Sequence, residues 1–125
     1  MKIDAIGVTS KDLRKTVSFY ELLGFTFPEM SGDEDHIEAT SPAGVRLMID
    51  SASLIESIIG EAPRPGNASA FAILCETVDE VNQVTQKIQD AGYTVIKEPW
   101  DAEWGQRYAI VADPDGYKVD LFAAL

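Results

Sequence analysis

Our fold prediction for this chain starts from the motif DPDGYKVDL at residues 113–121. Its first four residues favour a tight turn, and the rest alternates polar and apolar side chains like a strand with one buried face. A similar turn, Ser41-Pro42-Ala43-Gly44, precedes another alternating strand 72 residues earlier (113 − 41). LGFT at 23–26 and AGYT at 91–94 match with an offset of 68 residues (91 − 23). Two matches in register indicate a duplicated unit.

Hydrophobic periodicity and breaker residues predict the same order of elements in both halves, namely a strand, a helix and three further strands. The predicted strands are 3–8, 25–27, 36–40, 45–50, 70–75, 94–98, 108–112 and 118–122. Asp12 is a candidate N-cap for the first helix and Thr77 or Asp79 for the second, and Gly24 and Gly92 end them. We therefore predict an α+β chain with two tandem βαβββ modules in one domain. The modules span about 1–50 and 68–125, and a linker at about 51–67 holds a short helix.

The composition argues against several classes of function. With 10 Lys+Arg against 21 Asp+Glu the net charge is −11, whereas nucleic acids and anionic membranes both need a basic protein surface. Such a charge attracts cations over a long range. Cys75 is the single cysteine and falls on the helix-facing side of an apolar strand, which indicates a buried, inert thiol. No stretch resembles a signal peptide or a membrane helix, so we expect a cytoplasmic protein.

Several motifs, taken in order, resemble those of the vicinal oxygen chelate superfamily. This group includes glyoxalase I, bleomycin-resistance proteins, extradiol dioxygenases and fosfomycin-resistance enzymes. The motifs are KDL at 11–13, FYELLGF at 19–25, AGY at 91–93 and DPDGYKVDL at 113–121, and the resemblance covers essentially the whole chain. It implies that each module forms a curled mixed sheet with its helix outside and a site on the concave face. It does not specify the chemistry, because one fold hosts many functions.

The resemblance also implies where metal-dependent members of the group hold their ion. Alignment of the motifs and of the repeat places the four ligand positions at Ala5, Met48, Ala70 and Asp120. Divalent metals in such sites need three or four His, Asp, Glu or Gln donors, and only Asp120 supplies one. We therefore assign no metal, no cofactor and no catalytic residue. A displaced metal site is an alternative, and it would use His36, Glu38, Asp50 and Asp120.

Strand alternation separates side chains that face a helix from those that face the concavity. Trp100 and Trp104 fall in a predicted polar loop. Exposing an indole to water there is energetically unfavourable unless the ring covers a ligand, a sheet edge or a dimer interface. Arg107 follows them, and we expect it to pair with Glu98 or Asp113. The predicted ligand-binding residues are His36, Glu38, Arg46, Met48, Asp50, Trp100, Trp104, Tyr108, Asp120 and Phe122.

These observations favour a metal-independent small-molecule binding protein of the glyoxalase/bleomycin-resistance type. Its ligand would be a planar or cationic compound, such as an antibiotic, which the protein sequesters. One alternative is a glyoxalase-like lyase, isomerase or dioxygenase with a displaced metal site, and another is a non-catalytic protein-interaction domain. Superfamily members of this length usually pair, and open sheet edges need covering, so we also expect a homodimer.

Overall fold

The computed structural model describes residues 1–40, 44–67 and 70–125. Contacts within the chain divide it into two units, Met1–Pro65 and Gly66–Leu125. Most of the predicted turn at 41–44, and the predicted start of the second module at residue 68, lie outside the described residues. None of the helices in the described ranges is both long enough and apolar enough to cross a membrane.

The first unit is a three-stranded mixed sheet with two helices. Its elements are β1 (Ala5–Ser10), α1 (Leu13–Leu22), β2 (His36–Ala39), β3 (Arg46–Ser51) and α2 (Ala52–Ile59). β3 lies in the middle, parallel to β1 and antiparallel to β2. Parallel neighbours need a long connection between them, and α1 lies in that connection.

The second unit repeats this arrangement with one more strand. Its elements are β4 (Phe71–Leu74), α3 (Val78–Asp90), β5 (Thr94–Ala102), β6 (Gln106–Ala112) and β7 (Lys118–Ala124). The sheet order is β4-β7-β6-β5, and β4 is parallel to β7 as β1 is to β3. The predicted α+β class with mixed sheets is confirmed.

The predicted helix boundaries follow from side chains that satisfy free backbone groups. The Asp12 carboxylate accepts a hydrogen bond from the Lys15 amide at the start of α1, and the Thr77 hydroxyl accepts one from the Glu80 amide at the start of α3. The first turn of a helix has amides without backbone partners, so such caps fix where it begins. Just beyond the last turns, Gly24 and Gly92 have φ of 89° and 86°, a left-handed conformation that ends a helix and favours glycine.

Each unit has its own apolar core between its sheet and the longer helix. In the first unit Phe19 and Tyr20 of α1 are fully buried with Ile49 of β3, and the two rings meet edge to face at 5.0 Å. In the second unit α3 packs on β5, β6 and β7. The fully buried apolar residues there are Val81, Ile88, Ala109, Val111, Val119 and Leu121. Alternate residues of the strands therefore face the helices, and the residues between them lie on the opposite faces.

In the first half, the predicted strand at 25–27 is wrong, and several strand boundaries differ by one or two residues. The first strand begins at Ala5 rather than Ile3, whose residue is 77% exposed, and Val45 lies before β3 on the surface. Instead of a strand at 25–27 there is one isolated bridge between Thr26 and Thr40. Pro28 has no N–H to donate, so a ladder cannot continue through it in the ordinary way.

The predicted loop after Glu98 is also wrong, because β5 continues to Ala102. Trp100 is thus a strand residue and pairs with Tyr108, while Trp104 lies in the turn that follows. Pro99 is tolerated because the pairing of β5 with β6 is irregular between Lys97 and Trp100, and proline in a sheet is found at edges and bulges.

We expect the core of the first unit to depend on Ile49. Ile49→Ala should lower the free energy of unfolding by about 2–5 kcal/mol, since it removes a buried side chain and leaves a cavity. Ile58→Ala is the matched control, because Ile58 is 68% exposed whereas Ile49 is fully buried. Urea denaturation measures both variants. Equal losses of stability would contradict the packing described here.

Candidate functional site

One face of the first unit carries a row of charged side chains, the polar ladder, which consists of Asp4, Arg46, Glu38, His36 and Asp50. His36 lies directly opposite Asp50 in the pairing of β2 with β3, and Glu38 lies opposite Met48. His36 Nδ1 is 2.6 Å from Asp50 Oδ1, and its Nε2 is 3.0 Å from Glu38 Oε1. Arg46 donates to Glu38 and, at 2.8 Å, to Asp4 Oδ2. The ladder therefore links three carboxylates through one guanidinium and one imidazole.

The two neighbouring carboxylates change the protonation of His36. Hydrogen bonds to Asp50 and then to Glu38 raise the pKa of His36 above 6.5, and burial opposes them. In turn, the hydrogen bonds from His36 and Arg46 lower the pKa of Glu38. The ladder is most stable with His36 protonated, because both imidazole nitrogens can then donate.

The second unit carries aromatic side chains on the sheet face opposite α3. Register places Trp100 of β5 opposite Tyr108 of β6, Tyr108 opposite Phe122 of β7, and Phe122 opposite Leu74 of β4. The ring centroids of Trp100 and Tyr108 are 5.3 Å apart, and those of Tyr108 and Phe122 are 6.0 Å apart. We call this row, together with Trp104, the aromatic face. It crosses all four strands of the sheet.

Trp104 projects from the turn that joins β5 to β6. Gly105 in this turn has φ of 91°, which lets a three-residue connection close between two antiparallel strands. The Trp104 ring lies 5.5 Å from that of Tyr108 and 6.2 Å from that of Trp100, measured between centroids. Its Nε1 donates to Gln106 Oε1 at 3.0 Å, yet the residue is 59% exposed. The polar N–H is therefore satisfied while the ring remains accessible.

A carboxylate lies beside these rings. Asp120 Oδ2 accepts a hydrogen bond of 2.6 Å from the Tyr108 hydroxyl. Burial, followed by the hydrogen bond and the charge of Asp120, raises the pKa of Tyr108 to about 12. The phenol thus stays protonated at neutral pH and orients the carboxylate.

The comparison with protein families agrees with this architecture. The model of the Glyoxalase/Bleomycin resistance protein/Dioxygenase superfamily matches residues 2–121. The chain belongs to this superfamily. No curated protein matches the chain significantly.

Solved structures of the superfamily share the fold. A family enzyme from Burkholderia phytofirmans PsJN is 16% identical with a TM-score of 0.84, and all of both chains is covered. A glyoxalase-related enzyme from Fulvimarina pelagi is 22% identical with a TM-score of 0.84, over 98% of this chain and 87% of that one. A superfamily protein from Nocardioides is 24% identical with a TM-score of 0.74, over 100% and 84%. At these identities the likeness concerns the fold alone.

The metal of the superfamily's metalloenzymes does not fit the four positions that the resemblance implies. Ala5 and Met48 in the first unit offer a methyl group and a thioether, and Ala70 in the second unit offers another methyl group. The fourth, Asp120, is engaged by Tyr108. Among the residues of 1–40, 44–67 and 70–125, no group of three His, Cys, Asp or Glu is arranged to hold an ion. In the polar ladder the two nitrogens of His36 point to different carboxylates, so they do not converge on one point with them.

The structure divides the predicted ligand-binding residues into two groups. In the first unit it brings together His36, Glu38, Arg46 and Asp50 in the polar ladder, with Met48 on the same face. In the second unit it brings together Trp100, Trp104, Tyr108, Phe122 and Asp120. Two surface depressions in the first unit, beside α1 and the segment 27–34, contain none of these ten residues.

Arg107 and Cys75, two further residues of the second unit, make contacts within the protein. Arg107 donates to Asn82 Oδ1 at 2.9 Å and to Asp101 at 3.0 Å, so the expected pairing with Glu98 or Asp113 is wrong. Cys75 is buried as predicted, and burial together with the charge of Glu80 raises the pKa of its thiol.

The predicted ligand-binding set leaves out three residues of these surfaces. Asp4 lies just before β1 and pairs with Arg46, and nothing in its local pattern indicates this. Leu74 is 70% exposed at the end of the aromatic face. The Lys97 ammonium lies 4.2 Å from the centroid of the Trp100 ring. The proline two residues after Lys97 was the one available signal, since it marks a break in strand pairing.

We expect His36 to titrate above its ordinary pKa and to couple stability to pH. Because the pKa of the folded state is raised, its contribution is complete below about pH 6.5 and is lost as the pH rises through the folded pKa. The chain has one histidine, so NMR follows its titration without ambiguity. Asp50→Asn should bring the pKa of His36 down, and the stability advantage of wild type over His36→Gln should shrink as the pH rises above about 6.5. A pKa at or below 6.5 in wild type would contradict the ladder.

Proposed function

We propose that this chain is a metal-independent binding protein that sequesters a flat, cationic small molecule. The aromatic face of the second unit carries the proposal, because the rings of Trp100 and Trp104 lie next to that of Tyr108, whose hydroxyl donates to the carboxylate of Asp120. Aromatic rings attract cations through their negative faces, and a nearby carboxylate adds attraction. A flat cation can use both at once.

The exposure of Trp104 supports a binding role. An indole that is 59% exposed leaves apolar area in water, and covering it by a ligand gains about 25 cal/mol per Å² of apolar surface. Its N–H is held by Gln106, so the ring is presented in one orientation. A held ring loses less conformational freedom on binding than a mobile one.

The net charge of the chain and the carboxylate of Asp120 favour a cation over an anionic ligand. The net charge of −11 attracts cations to the whole chain. Near the rings, the Tyr108 hydroxyl donates a hydrogen bond of 2.6 Å to Asp120 Oδ2, which holds this carboxylate beside the aromatic face.

The polar ladder is a second candidate binding surface, on the first unit. His36, Glu38, Arg46, Met48 and Asp50 share one face of the first sheet, and the ladder holds three carboxylates against two basic groups. Such a surface suits amine or guanidine groups of a ligand. We propose further that the two units form one domain, that the protein is cytoplasmic, and that it assembles as a homodimer.

We expect Trp104→Ala to weaken binding of a flat cation by about 1–3 kcal/mol, since stacking and apolar burial are both lost. Calorimetry with a panel of aromatic cations, including N-methylquinolinium and bleomycin-like drugs, measures this. Gln83→Ala on the exposed side of α3 is the control and should bind like wild type. Asp120→Asn should weaken a cation more than neutral quinoline at about pH 8. A ligand that binds wild type and Trp104→Ala equally would show that the tryptophans are structural.

We expect divalent metals to leave the melting temperature nearly unchanged. A bound metal at 100 times its dissociation constant would stabilise the folded state by about 2.7 kcal/mol, and the donor set at Ala5, Met48, Ala70 and Asp120 does not support such a site. Thermal denaturation with Ni²⁺, Zn²⁺, Mn²⁺ and Fe²⁺ tests this. A saturable stabilisation that disappears in Asp120→Ala would instead favour a lyase, isomerase or dioxygenase with a displaced metal site.

A further inference from the structure

β5 contains two residues more than the strand beside it. Between the paired ends Thr94–Ala112 and Ala102–Gln106, β5 advances 8 residues (102 − 94) while β6 advances 6 (112 − 106). The extra residues lie in two register shifts, one on each side of Lys97. Such bulges re-aim side chains and are frequent beside functional sites.

The two bulges change the face of the sheet on which the Lys97 side chain lies. In a regular strand Lys97 would share the face of Val95, two residues before it. Instead, Lys97 lies opposite Ile110 and Trp100 lies opposite Tyr108. Ile110 and Tyr108 are two residues apart in β6 and share a face, so Lys97 and Trp100 share it as well. The bulges therefore place a lysine on the aromatic face.

The Lys97 ammonium uses this position to contact the Trp100 ring. Its Nζ lies 4.2 Å from the ring centroid, well within the range of a cation–π interaction. The ion pairs found in the described parts of the chain do not include Lys97. The ring is thus the contact that holds this ammonium, and a single exposed contact of that kind is weak enough to be displaced.

We propose that Lys97 is a resident cation on the aromatic face, which a cationic ligand must displace from the Trp100 ring. This inference rests on the proposed function, since it concerns the same site. It adds a step to binding, in which the ligand replaces an ammonium on the Trp100 ring. Because every ligand that stacks on this ring meets the same competitor, Lys97 lowers the affinity of the site, and the preference for a cation comes from the charge of Asp120.

The direct test compares Lys97→Met with wild type, using N-methylquinolinium as the probe, because its charge is independent of pH. Methionine keeps an unbranched apolar side chain without the ammonium. We expect binding about two- to fivefold tighter, which corresponds to the loss of one exposed cation–π contact. Lys97→Arg should bind like wild type or more weakly, because a guanidinium also stacks on indole.

A matched control separates the local effect of removing Lys97 from the effect of the changed net charge on ligand binding. Lys87→Met on α3 makes the same change of net charge at an exposed lysine in the last turn of that helix. It should raise affinity only by the long-range effect, which salt screens. A gain in Lys97→Met that equals the gain in Lys87→Met, or weaker binding by Lys97→Met, would overturn the inference.

The outcomes separate this inference from the proposed function. If wild type binds the probe and Trp104→Ala weakens binding, but Lys97→Met gives no gain, the role of Lys97 fails and the binding function stands. If only Lys97→Met binds the probe, the resident cation is supported and the proposed function of the natural chain is contradicted. If neither protein binds it, both are contradicted.

Discussion

The register of β6 between β5 and β7 determines which side chains lie on the sheet face opposite α3 in the second unit. It sets Trp100, Tyr108, Phe122 and Leu74 side by side across four strands, and it sets Asp120 opposite Ile110 within reach of the Tyr108 hydroxyl. A slip of one residue would move the rings to the face that packs on α3 and would break the core. The aromatic face and the core therefore depend on the same pairing, because each strand supplies alternate residues to both.

The two units use the same architecture for different surfaces. In both, the first strand runs parallel to the last one, and a longer helix packs on one face of the sheet. On the opposite faces, the first unit carries charges in the polar ladder and the second carries aromatic rings.

Strand alternation in the sequence predicted much of this correctly. The pattern around Met48 and Asp120 placed them on the faces opposite the helices, and the pairing agrees. The error at Trp100 came from Pro99, which normally ends a strand. Here two bulges accommodate it, and bulges depend on the pairing with β6, which the local sequence around Pro99 does not encode. The contact of Asp4 with Arg46 joins residues 42 apart, so it too required the fold.

The proposed function requires that the aromatic face of the second unit binds a flat cation. Titration of N-methylquinolinium into ¹⁵N-labelled protein tests this binding directly, because the chain has two tryptophans and each indole N–H gives its own NMR signal. We expect saturable shifts of both indole signals and of backbone amides along the β5–β6 hairpin. Saturable shifts confined to the amides around α1, with both indole signals unchanged, would contradict it.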